Sequence, residues 1–213
     1  MRPRSLARFL ALPVVAAGIV AGAAVVAPAA AEAQTVNLDT SGTVAVTVPL
    51  SYIEQLAKAG IVEFPVPLSE LSVSTANETA TVTFSVTGGN ADVSVLEGSV
   101  DLKGSVEIAS IGLRPRLVTL TGLQLDVSNG QIDATPAGSS TPVVLLDLGG
   151  GLSFQSTEST TNSSAFTDTY DANELTVDSA GASYLDSALH TSAFQAGQDV
   201  GSLAATWTLV YPS

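Results

Sequence analysis

The sequence predicts an all-β protein, an antiparallel β-sandwich or barrel-like domain with two short helices. Three observations lead to this fold class. Apolar and polar residues alternate along several short segments, which is typical of strands that bury one face. Glycine and asparagine turns separate these segments at short intervals. Twice, around residues 43–60 and 174–190, a strand pattern runs into a helix cap and a short helical pattern.

The strand pattern is clearest in four segments with an apolar residue at every second position. These are Val44, Val46 and Val48; Ala80, Val82, Phe84 and Val86; Leu123, Leu125 and Val127; and Leu203, Ala205, Trp207 and Leu209. Asn129 and Gly130 predict a two-residue hairpin turn. A continuous apolar run over residues 143–148 predicts a buried strand that ends at three glycines.

Two helices are expected from their start and stop signals. Ser51 and Glu54 have the spacing of a capping box, and Gly60 would end that first helix. The second helix is expected to begin with Asp178 or Ser179 as its cap and to continue to about His190.

The N-terminus has the residue order of an export signal. Arg2, Arg4 and Arg8 precede an uncharged run over residues 9–31, and small residues follow up to Ala33. We expect cleavage after Ala33 or, failing that, after Ala31, and hence a secreted protein that is extracellular or associated with the cell envelope. No later segment is apolar for about 20 residues, so no membrane span is expected after cleavage.

The domain organisation expected is a signal peptide over residues 1–33 and a single β-rich domain over residues 34–213. Residues 34–66 form its N-terminal strand and helix segment. Residues 155–169 are rich in Ser and Thr and are expected to be an exposed loop or a hairpin tip.

Charge and composition exclude several functions. Cleavage removes three arginines and Glu32, so 7 basic and 20 acidic residues become 4 and 19, a formal charge of −15. Such a chain repels nucleic acid, and we expect no nucleic-acid partner. The sequence has no cysteine and one histidine, so thiol chemistry and a zinc site lack their ligands. His190 also lacks the Gly-x-Ser-x-Gly motif that would present a serine nucleophile beside it.

One acidic segment is dense enough in oxygen ligands to raise the question of calcium. Asp168, Asp171, Asn173 and Glu174 fall within seven residues, but their spacing fits no EF-hand. The favoured interpretation is a solvated acidic loop that leads into a strand. No metal site is therefore predicted, and these four residues are the candidates if one exists.

Three stretches resemble a known family. They are residues 97–106 running into 113–117, residues 143–148, and residues 175–182 leading to 194–197. In order and content the chain resembles the HtaA-like domains of actinobacterial secreted and cell-surface proteins, which are β-rich and known for binding haem. The resemblance covers most of the chain from about Asp92 onward and implies a β-rich scaffold.

The haem-binding motif of that family is not matched. Gly104 is followed by Ser105 and Val106, where haem-binding members carry a histidine. Tyr170 and Tyr184 are the candidates for an iron-ligating phenol. The prediction is therefore a non-catalytic structural or interaction module without a cofactor, acting on an envelope or extracellular partner. The alternatives are binding of haem or another small apolar ligand, and a hydrolase that uses two carboxylates.

Overall fold

The computed structural model describes residues 37–67, 70–112, 114–159 and 165–210, and the predicted signal peptide lies outside them. The helices are α1 (Leu50–Lys58) and α2 (Ser179–Leu189). The strands are β1 (Asn37–Pro49), β2 (Ile61–Val66), β3 (Leu71–Ser74), β4 (Thr79–Gly89), β5 (Ser99–Leu102), β6 (Ser105–Ser110), β7 (Arg116–Asp126), β8 (Gln131–Pro136), β9 (Val143–Gly149), β10 (Ser153–Glu158), β11 (Ala165–Val177) and β12 (Asp199–Val210). Within these described ranges, neither helix is long and apolar enough to cross a membrane.

Eight strands close into an antiparallel barrel, which confirms the all-β prediction and its barrel-like form. The order is β7, β5, β4, β1, β12, β11, β9 and β8, and β8 pairs back with β7. Successive side chains of a strand point to opposite faces, so alternate residues of each strand fill the interior. On β12 the predicted inward residues Leu203, Ala205 and Trp207 are at most 2% exposed.

The two helices lie at the same end of the barrel, which we call the helical end. α1 follows β1 and α2 follows β11, and both of these strands run antiparallel to β12. α2 begins as predicted, because the Asp178 carboxylate accepts hydrogen bonds from the amides of Ala180 (2.6 Å) and Gly181 (3.3 Å). His190 ends this helix in a left-handed conformation.

The capping box predicted for α1 is wrong. The helix begins at Leu50, and Pro49 occupies the N-cap position without a side-chain hydrogen bond. The Leu50 amide donates to the Glu78 carbonyl oxygen at 2.8 Å, so a tertiary contact replaces the expected local cap. Gly60 follows the helix with a φ of +76°, in agreement with the predicted end.

Towards the helical end, different strands form the wall beside β7. β5 and β6 both pair with β7, but on their other edge β5 pairs with β4 whereas β6 pairs with β2. Gly104 lies between β5 and β6 with a φ of +107°, and a side chain there would meet the Val66 carbonyl oxygen at 2.8 Å. β3 pairs with the first residues of β4. Within the described residues no backbone pairing joins β2 to β3.

The Ser/Thr-rich stretch over residues 155–169 is largely strand, which corrects the prediction of a loop or hairpin tip of that length. Residues 155–158 belong to β10 and residues 165–169 to β11, and the two strands pair as an antiparallel hairpin. All six residues of β10 are exposed, so no apolar face marks this strand in the sequence. Residues 160–164 lie outside the described part of the chain.

Two smaller expectations also need correction. The hairpin between β7 and β8 turns over four residues, 127–130, because Asp126 pairs directly with Gln131. The Asn129 amide side chain donates to the Asp126 carboxylate at 2.7 Å and stabilises this wider turn. The strand predicted over residues 143–148 is β9, but its side chains are half-buried rather than buried.

Candidate functional site

The four residues considered for calcium do not converge on one point. Asp168 faces the barrel interior and is 0% exposed. Asp171 is three residues further along β11, so its side chain points to the outer face of the barrel, where it lies beside Ser153 of β10. Asn173 and Glu174 are exposed where the register between β11 and β12 shifts. In the ranges that the structure describes, no group of three His, Asp or Glu side chains is placed to hold a metal ion.

The two tyrosines considered for haem iron lie on different elements. Tyr170 is inside the barrel on β11 and is 1% exposed. Burial, and to a lesser degree the charge of Asp126, raises the pKa of the Tyr170 phenol. A raised pKa disfavours the tyrosinate anion that would ligate iron. Tyr184 lies on α2 and is half-buried. Tyr170 therefore offers haem neither an accessible face nor a favoured anion.

A short segment enters the barrel at the end opposite the helices. It comprises residues 90–98, joins β4 to β5, and is called the plug below. Ala91 and Val93 of the plug are 0% exposed. The Val93 amide donates to Oδ2 of Asp168 at 3.2 Å, and the Trp207 indole donates to the Ala91 carbonyl oxygen at 3.3 Å. Two inward side chains of the wall thus hold the plug in place.

Asp168 is a buried acid with a structural partner. Burial raises the pKa of its carboxyl, hydrogen bonds from Ser156 and Val93 act in the opposite direction, and the charge of Asp92 raises it further. Oδ1 of Asp168 has no hydrogen-bond partner among the described residues. The residue that the sequence suggested as a calcium ligand therefore holds the plug.

Carboxylates influence one another on the outer face of β8. Asp133 alternates with the inward residues Ile132 and Ala134, so it faces outward. Partial burial, then the charges of Asp126 and Asp178, raise the pKa of the Asp133 carboxyl. The hydrolase alternative needs two carboxylates that face one cleft. If two of Asp126, Asp133 and Asp178 were that pair, the active site would lie on the outer surface of the barrel.

Inward-facing apolar side chains remain exposed between β2 and β3. Leu71 and Val73 of β3 pair directly with Val82 and Ala80 of β4, and directly opposed residues share a face of the sheet. Ala80 is 3% exposed inside the barrel, yet Leu71 is 38% and Val73 56% exposed. Among the described residues β2 and β3 are not paired, and we call the region between these two strands, with its exposed inward side chains, the β2–β3 cleft.

Glu63 of β2 lies on the same inward face. Its cross-strand partner is Ile108, which is 2% exposed in the core. The protein around Glu63 raises the pKa of its carboxyl to about 7 by desolvation, although the side chain is exposed. Protein atoms crowd the Glu63 carboxyl and desolvate it, while part of the side chain still meets water. Burial, then the charge of Glu63, raises the pKa of the buried Tyr52 phenol on α1.

Glu70 adds a second carboxyl near the same opening. It follows β2 and precedes β3, and its Oε2 is buried beside Gly104 without a hydrogen-bond partner in the described part of the chain. No sequence pattern had indicated Tyr52, Glu63 or Glu70 as residues of a functional site. One sequence feature could have indicated Glu63. It is an acid at the position between Ile61 and Pro65, on a strand face that is otherwise apolar.

No model of a known protein family matches the sequence, and no curated protein matches it. The resemblance to HtaA-like domains stands on the sequence stretches described above. The parts of them that the structure describes form the end of the plug with β5 and the start of β6, the start of β7, β9, the end of β11 with the start of α2, and the connection from α2 to β12.

Proposed function

We propose that the chain is an exported, non-catalytic binding module that takes a small apolar ligand with a cationic head group in the β2–β3 cleft. One observation carries this proposal, the exposure of Leu71 and Val73 on the inward face of the wall. Concave apolar surface is what small-ligand sites use for affinity. Covering each of these half-exposed side chains would contribute about 1 kcal/mol.

The charges at the cleft select the head group. Glu63 becomes anionic as the pH rises through its pKa of about 7. An anionic carboxyl in a partly desolvated recess attracts an ammonium group more strongly than the same pair in bulk water. The formal charge of −15 on the mature chain adds a long-range attraction for cations. A hydrophobic amine therefore matches both the walls and the acid.

The same charges argue against haem as the ligand. Haem carries two carboxylates, which Glu63 and the acidic surface repel. The phenol of Tyr170 is enclosed in the barrel, so it supports no iron ligation from the cleft. The HtaA-like resemblance keeps haem as the alternative ligand to be measured beside the amine.

Export and the lack of a catalytic role are parts of the proposal. Export is supported by the arginines and the small-residue cleavage pattern of residues 1–33. A binding role is supported by the exposed apolar side chains of Leu71 and Val73 on the inward face of the cleft. A ligand-dependent interaction with an envelope or extracellular partner is compatible with this role.

The test compares three probes with one tail. Dodecylamine, dodecanol and dodecanoic acid would be titrated into residues 34–213, and displacement of the neutral dye Nile red would report binding. At pH 8 the amine should bind most tightly and the acid most weakly. Glu63→Gln should bring the amine close to the alcohol, a loss of about fivefold for a partly screened ion pair. Haemin is titrated in parallel as the alternative ligand.

A matched pair of valines provides the control. Val73→Asp places a charge on the apolar wall of the cleft and should abolish binding of all three probes. Val95 in the plug is 60% exposed, close to the 56% of Val73, so Val95→Asp adds the same charge elsewhere. The proposal fails if Val73→Asp binds the probes as the wild type does, or if both variants weaken binding equally.

A further inference from the structure

A second recess lies where the turn after α1, the hairpin between β6 and β7, and the end of α2 meet. Its volume is about 480 Å³, within the usual range for small-molecule sites. The lining residues are Ala59, Gly60, Ile61, Ser110, Ile111, Gly112, Arg114, Arg116, Leu189, His190 and Thr191. We call this recess the basal recess.

The basal recess collects the positive charge of an acidic chain. Of 7 basic residues, three lie in the predicted signal peptide, which leaves Lys58, Lys103, Arg114 and Arg116. Both arginines line the recess together with His190, the one histidine of the sequence. Lys58 directly precedes the lining residue Ala59. Arg114 and Arg116 are two positions apart on the chain, and the fold adds His190 from the end of α2 to the lining of the same recess.

The arginines of the recess and the neighbouring Lys58 differ in their ion pairs. Within the described ranges neither Arg114 nor Arg116 makes an ion pair, whereas Nζ of Lys58 lies 4.0 Å from Oε2 of Glu54. Asp186, one turn before His190 on α2, accepts a hydrogen bond from the Phe194 amide at 3.2 Å. Arg116 is fixed by strand pairing with Ser110, and its amide donates to the Ser110 hydroxyl at 3.2 Å.

From this arrangement we propose that the basal recess binds a small oxyanion of the phosphate type. Arg114 and Arg116 supply planar guanidinium forks that match phosphate oxygens, and His190 supplies a ring nitrogen as a further donor. Because the rest of the surface is acidic, the site accepts a compact anion more readily than an extended polyanion, which would meet repulsion outside the recess. This inference is independent of the β2–β3 cleft and of the ligand proposed there.

Titration of inorganic pyrophosphate into residues 34–213 tests the site, with two-dimensional NMR of the arginine Nε–H groups and of the Gly112 and Thr191 amides. We expect saturable shifts confined to the lining residues. Arg114→Gln and Arg116→Gln should each weaken binding about fivefold or more. Lys103→Gln removes the same charge outside the recess and should leave the affinity within about twofold.

Two outcomes would overturn the proposal. One is the absence of saturable shifts in the wild type, and the other is an equal loss of affinity in Lys103→Gln, which would reduce the effect to net charge. The first outcome could be accompanied by a loss of thermal stability in the arginine variants. In that case the role of the arginines is to stabilise the carbonyl groups at the C-terminal ends of α1 and α2. Arg116→Lys keeps the charge without the fork, so an affinity between those of wild type and Arg116→Gln supports recognition by the fork.

Discussion

Removing the Asp168 carboxylate should release the plug from the barrel. In Asp168→Ala the Val93 amide loses its acceptor, the Oδ2 atom at 3.2 Å, in a site that is 0% exposed. An unpaired buried amide costs about 1 to 3 kcal/mol. For a domain of this size each kcal/mol lowers the melting temperature by roughly 2 to 4 °C. We therefore expect a loss of about 2 to 12 °C.

The chain contains a single tryptophan that reports on this contact. Trp207 is 0% exposed, and its indole donates to the plug at Ala91. Urea unfolding followed by Trp207 fluorescence gives the free energy, and hydrogen exchange of the Val93 amide gives the local opening of the plug. In Asp168→Ala the Val93 amide should exchange faster by a larger factor than the amides of β12 do, because the plug opens before the barrel.

Asp168→Asn separates the charge from the hydrogen bond. The amide oxygen still accepts from Val93, so the loss should be smaller than in Asp168→Ala. The pKa of Asp168 is raised in the folded state, so its contribution to stability is fully present at acidic pH and declines as the pH rises through the folded pKa. The stability of Asp168→Asn relative to the wild type should accordingly increase from acidic to neutral pH.

Asp171→Ala provides the control, since Asp171 lies on the same strand but faces outward with a weak contact of 3.5 Å to Ser153. Its stability should change by less than about 0.5 kcal/mol. Equal losses of stability in Asp168→Ala and Asp171→Ala, or an unchanged exchange rate of the Val93 amide in Asp168→Ala, would show that Asp168 does not hold the plug.

Three further predictions concern other parts of the fold. Asp178→Ala removes the cap of α2 and should lower the free energy of unfolding by about 1 kcal/mol, measured by urea denaturation; no change would mean that tertiary contacts alone fix the helix start. Gly201→Ala should destabilise by about 3 kcal/mol or more in thermal unfolding, since Gly201 has a φ of +133° and its new side chain would meet the Thr47 carbonyl oxygen; a variant as stable as the wild type would contradict this. Dodecylamine affinity, measured by dye displacement, should rise as the pH increases through about 7, where Glu63 ionises, and a pH dependence that persists in Glu63→Gln would assign the effect to another group.

The strands that sequence reasoning identified are those with one buried face. On β12 the alternation of Leu203, Ala205 and Trp207 is a local pattern of period two, and the barrel buries that face. β10 was not predicted because both of its faces are exposed. Its residues, Ser153–Glu158, therefore show no alternation of apolar and polar side chains. The wrong cap of α1 has a similar cause. The Leu50 amide bonds to Glu78, 28 positions further along the chain, and a local motif does not report such a contact.

The candidate sites depend on contacts between distant positions, which explains why the sequence did not reveal them. Asp168 and Val93 are 75 positions apart, so an acid in a polar segment looked solvated when it is buried. Glu63 faces inward because β2 pairs with β6, a register that the residues of β2 alone leave undetermined. Arg114 and Arg116 line the same recess as His190 because the end of α2 lies near the start of β7.

The opening of the β2–β3 cleft follows from the bend at Gly104. β5, which precedes Gly104, pairs with β4, whereas β6, which follows it, pairs with β2. The edge of β4 that β6 does not reach pairs with β3. The positive φ of Gly104 and its approach to the Val66 carbonyl oxygen restrict the position to glycine. Gly104→Ala should therefore reduce stability and probe binding together, whereas Val73→Asp should remove binding while the Trp207 unfolding transition stays close to that of the wild type. If Gly104→Ala unfolds at a lower urea concentration than the wild type but binds dodecylamine with unchanged affinity, the bend at Gly104 shapes the wall without creating the ligand site.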